Sequence, residues 1–593
     1  MTSRAARRAL MQWLVFSLCL LPPAVLAVLL WRNSVNVPYW DEWDKDIAGL
    51  FVKSADGRLG FGDFWAQHNE SRLVLPRLIF LLLGGMTHWN VSVEVAFTFL
   101  LAGVVAAAVF WLGRKAFAGR PVTRWTVFFI SSLLIFSPSQ YEAWLWGMEM
   151  ILFMPLVCIL GGLVVQQSAL REQTKLVLCA ILAFAGTFTF SNGLLVWLVL
   201  FPGLFLTEGW TGLRKRRQAA LGWLLGFAGT ATVYFYNYQF PPSAGIGHLL
   251  RTNPRSVFEY LLAFLGGSLV DRNAASAVVT AASIGLGLLV LFAASCVWVV
   301  RRWNDREWMR LAWPWLALGS YGILSAMLAT IGRAGFGAEQ ATTSRYAIFG
   351  ICLIVALVHL LPLSGLRQPV GDETAGKGNA FGVGGLAALA GGLVLLYAQA
   401  FPPAVVNMMV FRLNLLQAKS CLKFIDVLPP QPAITKCLYR SQPELKFMAD
   451  ALNQRGVLDF KLYETPKLAA FKVNPEPADH PVGRLESCQV NHGDLLLAGW
   501  ALSTTRRAAA DCVVFTYESP RLQPRIFGLM DQRRVRLDLV AAKRNQAYLL
   551  AGWEKSVRLA DLPRGSLVIK AWSYDVRNDR LTPLANAARV ENK

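Results

Sequence analysis

Three carboxylates fall within four positions, Asp41, Glu42 and Asp44, interleaved with Trp40 and Trp43 in the stretch VNVPYWDEWDKDI, directly after the first long apolar run. A carboxylate beside low-dielectric surroundings has its pKa raised toward the range of a general base. Several oxygen ligands so close together also suit a divalent cation. About 25 residues on comes Gln67-His68-Asn69-Glu70-Ser71-Arg72, in which His68 and Arg72 are of the type that binds an anionic leaving group such as a phosphate and Glu70 adds a further carboxylate.

Two further stretches carry similar chemistry. IGRAGFGAEQATTSRY holds Arg333, Glu339, Gln340 and Arg345, with Gly335 and Gly337 allowing backbone N–H groups to approach an anion. It lacks the strand and the spacing of a dinucleotide fingerprint. SPSQYEAWLWGMEM offers Tyr141, Trp144 and Trp146 to stack on the apolar face of a sugar ring, with Glu142 and Glu149 to bond its hydroxyls. The competing reading of all these aromatics is an interfacial belt, and of the acids a solvated surface or a helix start.

The elements that must position these residues are membrane helices. The chain is 55% hydrophobic and 16% charged over 593 residues, more apolar and less charged than soluble domains. Its formal charge of +21 is distributed over short loops between apolar runs, which argues for membrane topology and against nucleic acid as a partner. Runs at about 10–31, 92–113, 124–139, 149–167, 175–190, 193–208, 219–238, 274–300, 311–331, 346–363 and 380–400 predict about eleven transmembrane helices. The first reads as an uncleaved anchor, since no small-residue cleavage site follows it.

With the N-terminus inside, the inside segments hold 19 Lys or Arg, against 11 in the longer outside loops before the C-terminal region, as the positive-inside rule requires. The apolar stretch from Leu78 to Met86 is too short to span; the surrounding segment reads as an amphipathic helix on the outer face. A second such helix is expected in PRSVFEYLLAFLGGSL. The first outside loop then runs over 32–91 and contains both the acidic string and QHNESR.

Residues 1–403 thus form a transmembrane domain, 404–480 a mixed helical linker, and 481–593 a small β-sandwich. The last follows from alternating runs GRLESCQV, DLLLAGWALS, DCVVFTYES, PRIFGLM and GSLVIKAWSYD. Eleven crossings place it outside. An oxidising compartment permits a Cys421–Cys437 bridge, and also Cys488–Cys512. His248, His359, His480 and His492 are isolated and are assigned nothing.

This layout resembles the membrane glycosyltransferases of the type C fold, which include the protein O-mannosyltransferases, the aminoarabinose transferase acting on lipid A, and the oligosaccharyltransferases. It looks most like bacterial multi-pass relatives carrying a Trp-Asp-(Glu/Asp)-Trp string, a Gln-His-Asn-Glu-His-Arg string and a late Gly-Arg…Ser-Arg-Tyr string, over roughly residues 10 to 400. Here these read YWDEW, QHNESR and GRAGFGAEQATTSRY, with Ser71 standing where those relatives have His. The resemblance implies transfer of a sugar from a polyprenyl-phosphate donor to an extracytoplasmic glycan or lipid-linked acceptor in a bacterial inner membrane. Asp41 or Glu42 would act as base, and Arg333 and Arg345, with Arg72 or His68, would hold the donor phosphate. The partners expected are the bilayer, the lipid-linked sugar and the acceptor glycan. No P-loop or nucleotide-sugar domain is present, and a divalent cation is the one cofactor the residues suggest. The alternatives are a lipid-linked glycan transporter or flippase, or a non-catalytic envelope polysaccharide assembly protein. Transporters place ionisable groups near the bilayer midplane, whereas here they gather at the outer ends.

Overall fold

The computed structural model describes residues 2–206, 209–240, 245–364, 375–475, 481–520 and 522–592. Residues 365–374 of the last basic loop, and His480, lie outside the described residues. Among the described residues, eight helices are long and apolar enough to cross a membrane: Val15–Asn33, Val91–Ala116, Pro121–Leu145, Gly147–Gln166, Ala277–Arg301, Arg306–Phe336, Ser344–Leu363 and Ala387–Lys423. Eleven were expected. The run expected at 175–190 is a 16-residue helix, Glu172–Thr187, and that at 193–208 is an 11-residue helix, Leu195–Phe205. A turn through Ser191-Asn192 separates the two, so neither reaches the ~20 residues that a crossing needs. The Arg217–Phe235 helix, expected over 219–238, has 19 residues but mixes Gly, Ala and Thr into its apolar run.

The chain divides into two compact units. The first comprises Met1–Ser34, Leu59–Leu83 and Val91–Met408, and the second Val35–Arg58, Gly84–Asn90 and Met409–Lys593.

In the first unit, close helix crossings depend on small residues. The Pro254–Gly266 helix packs on Ala277–Arg301. An added Cβ at Gly266 or Gly285 would run into the carbonyls of Ala281 and Leu262. Small residues let backbones approach where apolar burial gives no preference between helix and lipid. That helix turns Val257, Tyr260, Ala263 and Phe264 inward, and the amphipathic Val74–Thr87 helix lies where a surface helix was expected. Its Arg77 is fully buried and donates to the carbonyl of Phe64 at 3.1 Å and to that of Ala66.

Two short strands, β1 (Gln67–His68) and β2 (Ser71–Arg72), form a hairpin in this unit. The other nine strands belong to the second unit: β3 (Lys472–Val473), β4 (Gly483–Asn491), β5 (Asp494–Ala501), β6 (Cys512–Ser519), β7 (Leu522–Leu529), β8 (Gln532–Arg534), β9 (Gly552–Arg558), β10 (Gly565–Asp575) and β11 (Arg580–Asn592). They make a single sheet in the order β7-β6-β10-β11-β4-β5-β9-β8, with β3 beside β11. The expected two-layer sandwich is therefore one curled sheet, a half-barrel. The strands were expected from alternation, but alternation does not say which strands pair. Here β11 pairs antiparallel with β10 and, at Ala585↔Arg484, parallel with β4, which joins what would otherwise be separate sheets. Register shifts at Leu485/Ser487, Phe515/Thr516 and Lys570/Trp572 supply the bends that curl it.

The last apolar helix runs on through Pro402 and Pro403 to Lys423, taking in the first part, 404–423, of what was expected to be linker. All nine cysteines are free thiols, so neither the Cys421–Cys437 nor the Cys488–Cys512 bridge is formed. Cys421 is fully buried near the end of that helix, while Cys437 closes the separate Pro432–Cys437 helix. Burial pushes the Cys437 thiol up, and the Cys512 thiol up to about 12.

Candidate functional site

The Gln67–Arg72 hairpin turns through Asn69 and Glu70. Asn69 has φ +48°, a left-handed conformation that Asn adopts more readily than most residues. Three donations hold the hairpin: Arg72 Nε to the Tyr234 carbonyl at 2.8 Å, and its terminal nitrogens to the carbonyls of Trp65 at 2.7 Å and Tyr236. The Tyr234 and Tyr238 hydroxyls donate to the Glu70 carbonyl at 2.8 and 3.1 Å. Ser71 Oγ accepts from the Ser191 N–H at 3.0 Å. Arg72, expected at a phosphate, is thus 3% exposed and clamps three backbone carbonyls. His68 is buried, with Nε2 3.1 Å from the Asn69 amide.

The turn presents the Glu70 carboxylate to Arg333, 3.1 Å away. Arg333 ends the Arg306–Arg333 helix, where a cation complements the helix dipole. It donates to the Tyr346 hydroxyl at 2.6 Å and its guanidinium lies 5.8 Å from that ring. Tyr346 closes a 3-10 turn, Ser344-Arg345-Tyr346, that opens the Ala347–Ser364 helix. Each residue of this turn organises an arginine–carboxylate pair. Arg345 lies 3.5 Å from Glu149 and 5.3 Å from the rings of both Trp146 and Tyr346. Ser344 Oγ donates to Glu142 at 2.6 Å and accepts from the Glu142 N–H at 3.2 Å. Glu142 in turn lies 3.4 Å from Arg272, which donates to the Tyr141 hydroxyl at 2.9 Å.

Glu70, Tyr141, Glu142, Arg333 and Arg345, five of the residues singled out from sequence, are therefore brought onto one Ser-Arg-Tyr turn, although some 275 positions separate the first from the last. Arg333, Arg345 and Arg272 keep 26%, 25% and 31% of their side chains exposed, so none of the three is sealed from solvent. Guanidinium groups offer planar, paired donors that match phosphate oxygens. The three carboxylates balance the three cations, so an anion entering here competes with Glu70, Glu142 and Glu149 for the guanidinium groups. Arg272, Ser344 and Tyr346 were not assigned from sequence. The signal available for Arg272 was the one that flagged Arg345, a cation on the side the charge bias leaves poor in them.

The acidic string belongs to the second unit. Glu42 is fully buried and its Oε2 accepts from the Tyr39 N–H at 2.6 Å, which closes the Trp40–Trp43 3-10 turn. Trp43 Nε1 donates to the Pro38 carbonyl at 2.7 Å, and the Trp43, Trp89 and Phe51 rings pack together. Trp40 has φ +47° and its N–H reaches the Leu438 carbonyl at 2.8 Å; a bulky residue adopts that backbone conformation only under constraint. Asp44 Oδ1 accepts from the Tyr439 hydroxyl at 2.8 Å and from Arg440 at 2.9 Å. Burial pushes its carboxyl pKa above the ordinary value, against Tyr439 and Arg440, which pull it down; Asp41 and Asp46 push it up further. Asp44 and Asp46 each offer a carboxylate oxygen within 4.8 Å of one another, close enough for both to ligate one divalent cation. Arg440 is the competitor for the Asp44 oxygen. Asp41 is half-buried.

Compared with protein-family models, with curated proteins and with solved structures, the chain matches none.

Proposed function

We propose that the chain is a membrane glycosyltransferase that moves a sugar from a polyprenyl-phosphate donor to an extracytoplasmic glycan or lipid-linked acceptor. The observation that carries this reading is the gathering of Arg272, Arg333 and Arg345 on one turn, with partly exposed guanidinium groups among the aromatic rings of Tyr141, Trp146 and Tyr346. Such a turn suits a phosphate that leaves with negative charge, because fixed cations stabilise charge as it develops. The residue strings that resemble type C transferases contribute this turn and its Glu70 partner.

The reaction follows from these groups. The acceptor hydroxyl gives its proton to a carboxylate, and its oxygen bonds to the anomeric carbon. The bond from that carbon to the phosphate oxygen breaks, and the phosphate leaves with the electron pair onto the arginines. The resemblance to type C transferases implies Asp41 or Glu42 as that carboxylate, and Asp41, half-buried where Glu42 is fully buried, is the one assigned. A divalent cation on Asp44 and Asp46, when bound, supplies positive charge near that carboxylate.

The side of the membrane turns on one helix. Among the described residues eight helices have the length and composition to cross, an even number, and the Glu172–Thr187 and Leu195–Phe205 helices, joined through a short turn, leave that parity unchanged. The Arg217–Phe235 helix, 19 residues long, covers ~28 Å at 1.5 Å per residue, close to the ~30 Å hydrocarbon core. If it crosses, the count is odd and the half-barrel lies outside a bacterial inner membrane, opposite the Arg4, Arg7 and Arg8 terminus.

The test uses the full chain in phospholipid nanodiscs with a polyprenyl-phosphate hexose and a membrane glycan extract as acceptor. Transfer lost in Asp41→Asn and in Arg333→Ala/Arg345→Ala, with insertion retained, is the expected result. Full transfer in either variant overturns the assignment, as does movement of the lipid across the bilayer without transfer.

A further inference from the structure

A groove of about 420 Å³ opens beside the hairpin, in the first unit and apart from the arginine pairs. Its polar walls are Gln67, Asn69, Asn237 and Gln239, with Trp65 and Arg72 behind them. The two loops that form it are fastened to each other. Gln67 Nε2 donates to the Gln239 carbonyl at 2.6 Å, and Gln67 Oε1 accepts the Gln239 N–H at 2.9 Å. Arg72 ties the same loops through the Trp65 and Tyr236 carbonyls. The groove is thus built by bonds between its own walls.

Its chemistry is unusual for a site in this molecule. Among the described residues no carboxylate lines it. Its one cation, Arg72, spends donors on three carbonyls, which leaves little for an anion. What remains are the carboxamides of Asn69, Asn237 and Gln239, a group that carries both donors and acceptors; Gln67 spends its own on Gln239, and the Asn69 nitrogen lies 3.1 Å from His68 Nε2. Hydroxyl groups also donate and accept, so a polyol satisfies such walls where a phosphate or a hydrocarbon does not. The volume falls within the range for small-ligand sites. Beside the lining residues in sequence stand Phe61, Tyr236 and Phe240, which are 75%, 70% and 80% exposed. Exposed aromatics at the end of an apolar helix are the mark of a membrane–water interface, and the Arg217–Phe235 helix ends here.

We infer that this groove binds a neutral hexose unit, the glycosyl headgroup of a lipid-anchored glycan presented at the membrane interface. The inference rests on the glycosyltransferase reading for the choice of a glycan over another polyol. It goes beyond that reading in assigning the sugar to the amide groove and leaving only the phosphate to the arginines.

The substitutions that test it are set by the backbone. Asn69 and Asn237 have φ +48° and +53°, so Asn69→Gly and Asn237→Gly delete the carboxamides while keeping a residue suited to that conformation. Gly62 also lines the groove, and a Cβ there meets nothing within 4 Å; Gly62→Phe fills the space without disturbing either loop. The probes are D-glucose, D-galactose and D-mannose, read by saturation-transfer NMR on the full chain in phosphatidylcholine nanodiscs, with inorganic phosphate as competitor. Expected is a hexose signal that phosphate does not displace and that falls at least fivefold in Asn69→Gly/Asn237→Gly and in Gly62→Phe. Absence of a signal from all three hexoses overturns the inference. So does displacement by phosphate, or an unchanged signal in Gly62→Phe; that variant decides the matter if the double variant does not fold. Arg333→Ala should keep the hexose signal. Binding with no transfer in any assay removes the transferase reading alone. Transfer that survives Gly62→Phe at wild-type rate removes the groove alone.

Discussion

The two halves of the segment over 32–91 carry similar residues and meet different fates. In YWDEWD two of the three acids are turned into architecture: Glu42 closes a buried turn and Asp44 is fixed by Tyr439 and Arg440. In QHNESR the arginine is the architectural member, clamping three carbonyls, while the acid, Glu70, reaches out to a distant cation. Residue type therefore does not decide which group is available for chemistry. The number of bonds the backbone demands from each side chain decides it. A buried carbonyl or N–H left without a partner is costly, and the nearest donor or acceptor is taken to satisfy it.

The comparison breaks first at Arg72. Arg72→Ala removes three charge-assisted bonds and should cost about 3 kcal/mol or more, read as a large drop in the thermal midpoint of the purified protein. Arg72→Lys should not restore it, because one ammonium cannot reach carbonyls on two loops. A midpoint near wild type for Arg72→Ala would mean that the hairpin is held by something else.

Next comes the division of labour within the acidic string. Asp41→Asn should lower transfer by ~10²-fold or more, the scale of a lost general base, with the protein still folded and inserted. Glu42→Ala should do the reverse, costing about 2 kcal/mol of stability through the freed Tyr39 N–H before it touches rate. Equal effects of both on rate would erase the distinction drawn here.

A smaller effect belongs to the Ser-Arg-Tyr turn. Tyr346→Phe removes the bond accepted from Arg333 but keeps the ring, and should weaken phosphate-group binding by ~5-fold, about 1 kcal/mol, as a rise in KM for the lipid donor. An unchanged KM would take Tyr346 out of the donor site.

The smallest concerns acid stability. Asp56 is bonded to Arg455 and Arg58, which hold its carboxyl down at about 2. Its folded value lies below the ordinary one, so its contribution is present above pH ~3.8 and is lost as pH falls toward 2. Asp56→Asn should lower stability slightly at neutral pH and flatten that part of the acid-unfolding curve, so that the variant and the parent converge near pH ~2.

How far the sequence could be read follows the same logic. The short helix ending near Met86 was legible because its apolar stretch was too short to span and its flanks were polar. The strands Asp494–Ala501 and Gly565–Asp575 were legible by alternation. The pairing of β11 with β4 was not, because a single parallel bridge between strands about 100 positions apart leaves no local trace. The break near Ser191 was expected, between the runs at 175–190 and 193–208; what composition did not show is that the helices on either side have only 16 and 11 residues, short of the ~20 a crossing needs.

The sequence by itself determined the membrane class, the apolar helices and the β-rich C-terminal region, since these depend on composition and on periods of 3.6 and 2 that local residues set. It also marked which strings were chemically unusual. Only the tertiary structure decided that Glu70, Glu142, Glu149, Arg272, Arg333 and Arg345 meet on one turn, that Arg72 and Glu42 are spent on backbone, and that the sheet is one curled layer. Apart from Glu42, whose partner Tyr39 is three positions away, those outcomes depend mainly on partners a hundred or more positions away, and a hydrogen bond or ion pair is formed by proximity in space, which no local pattern encodes.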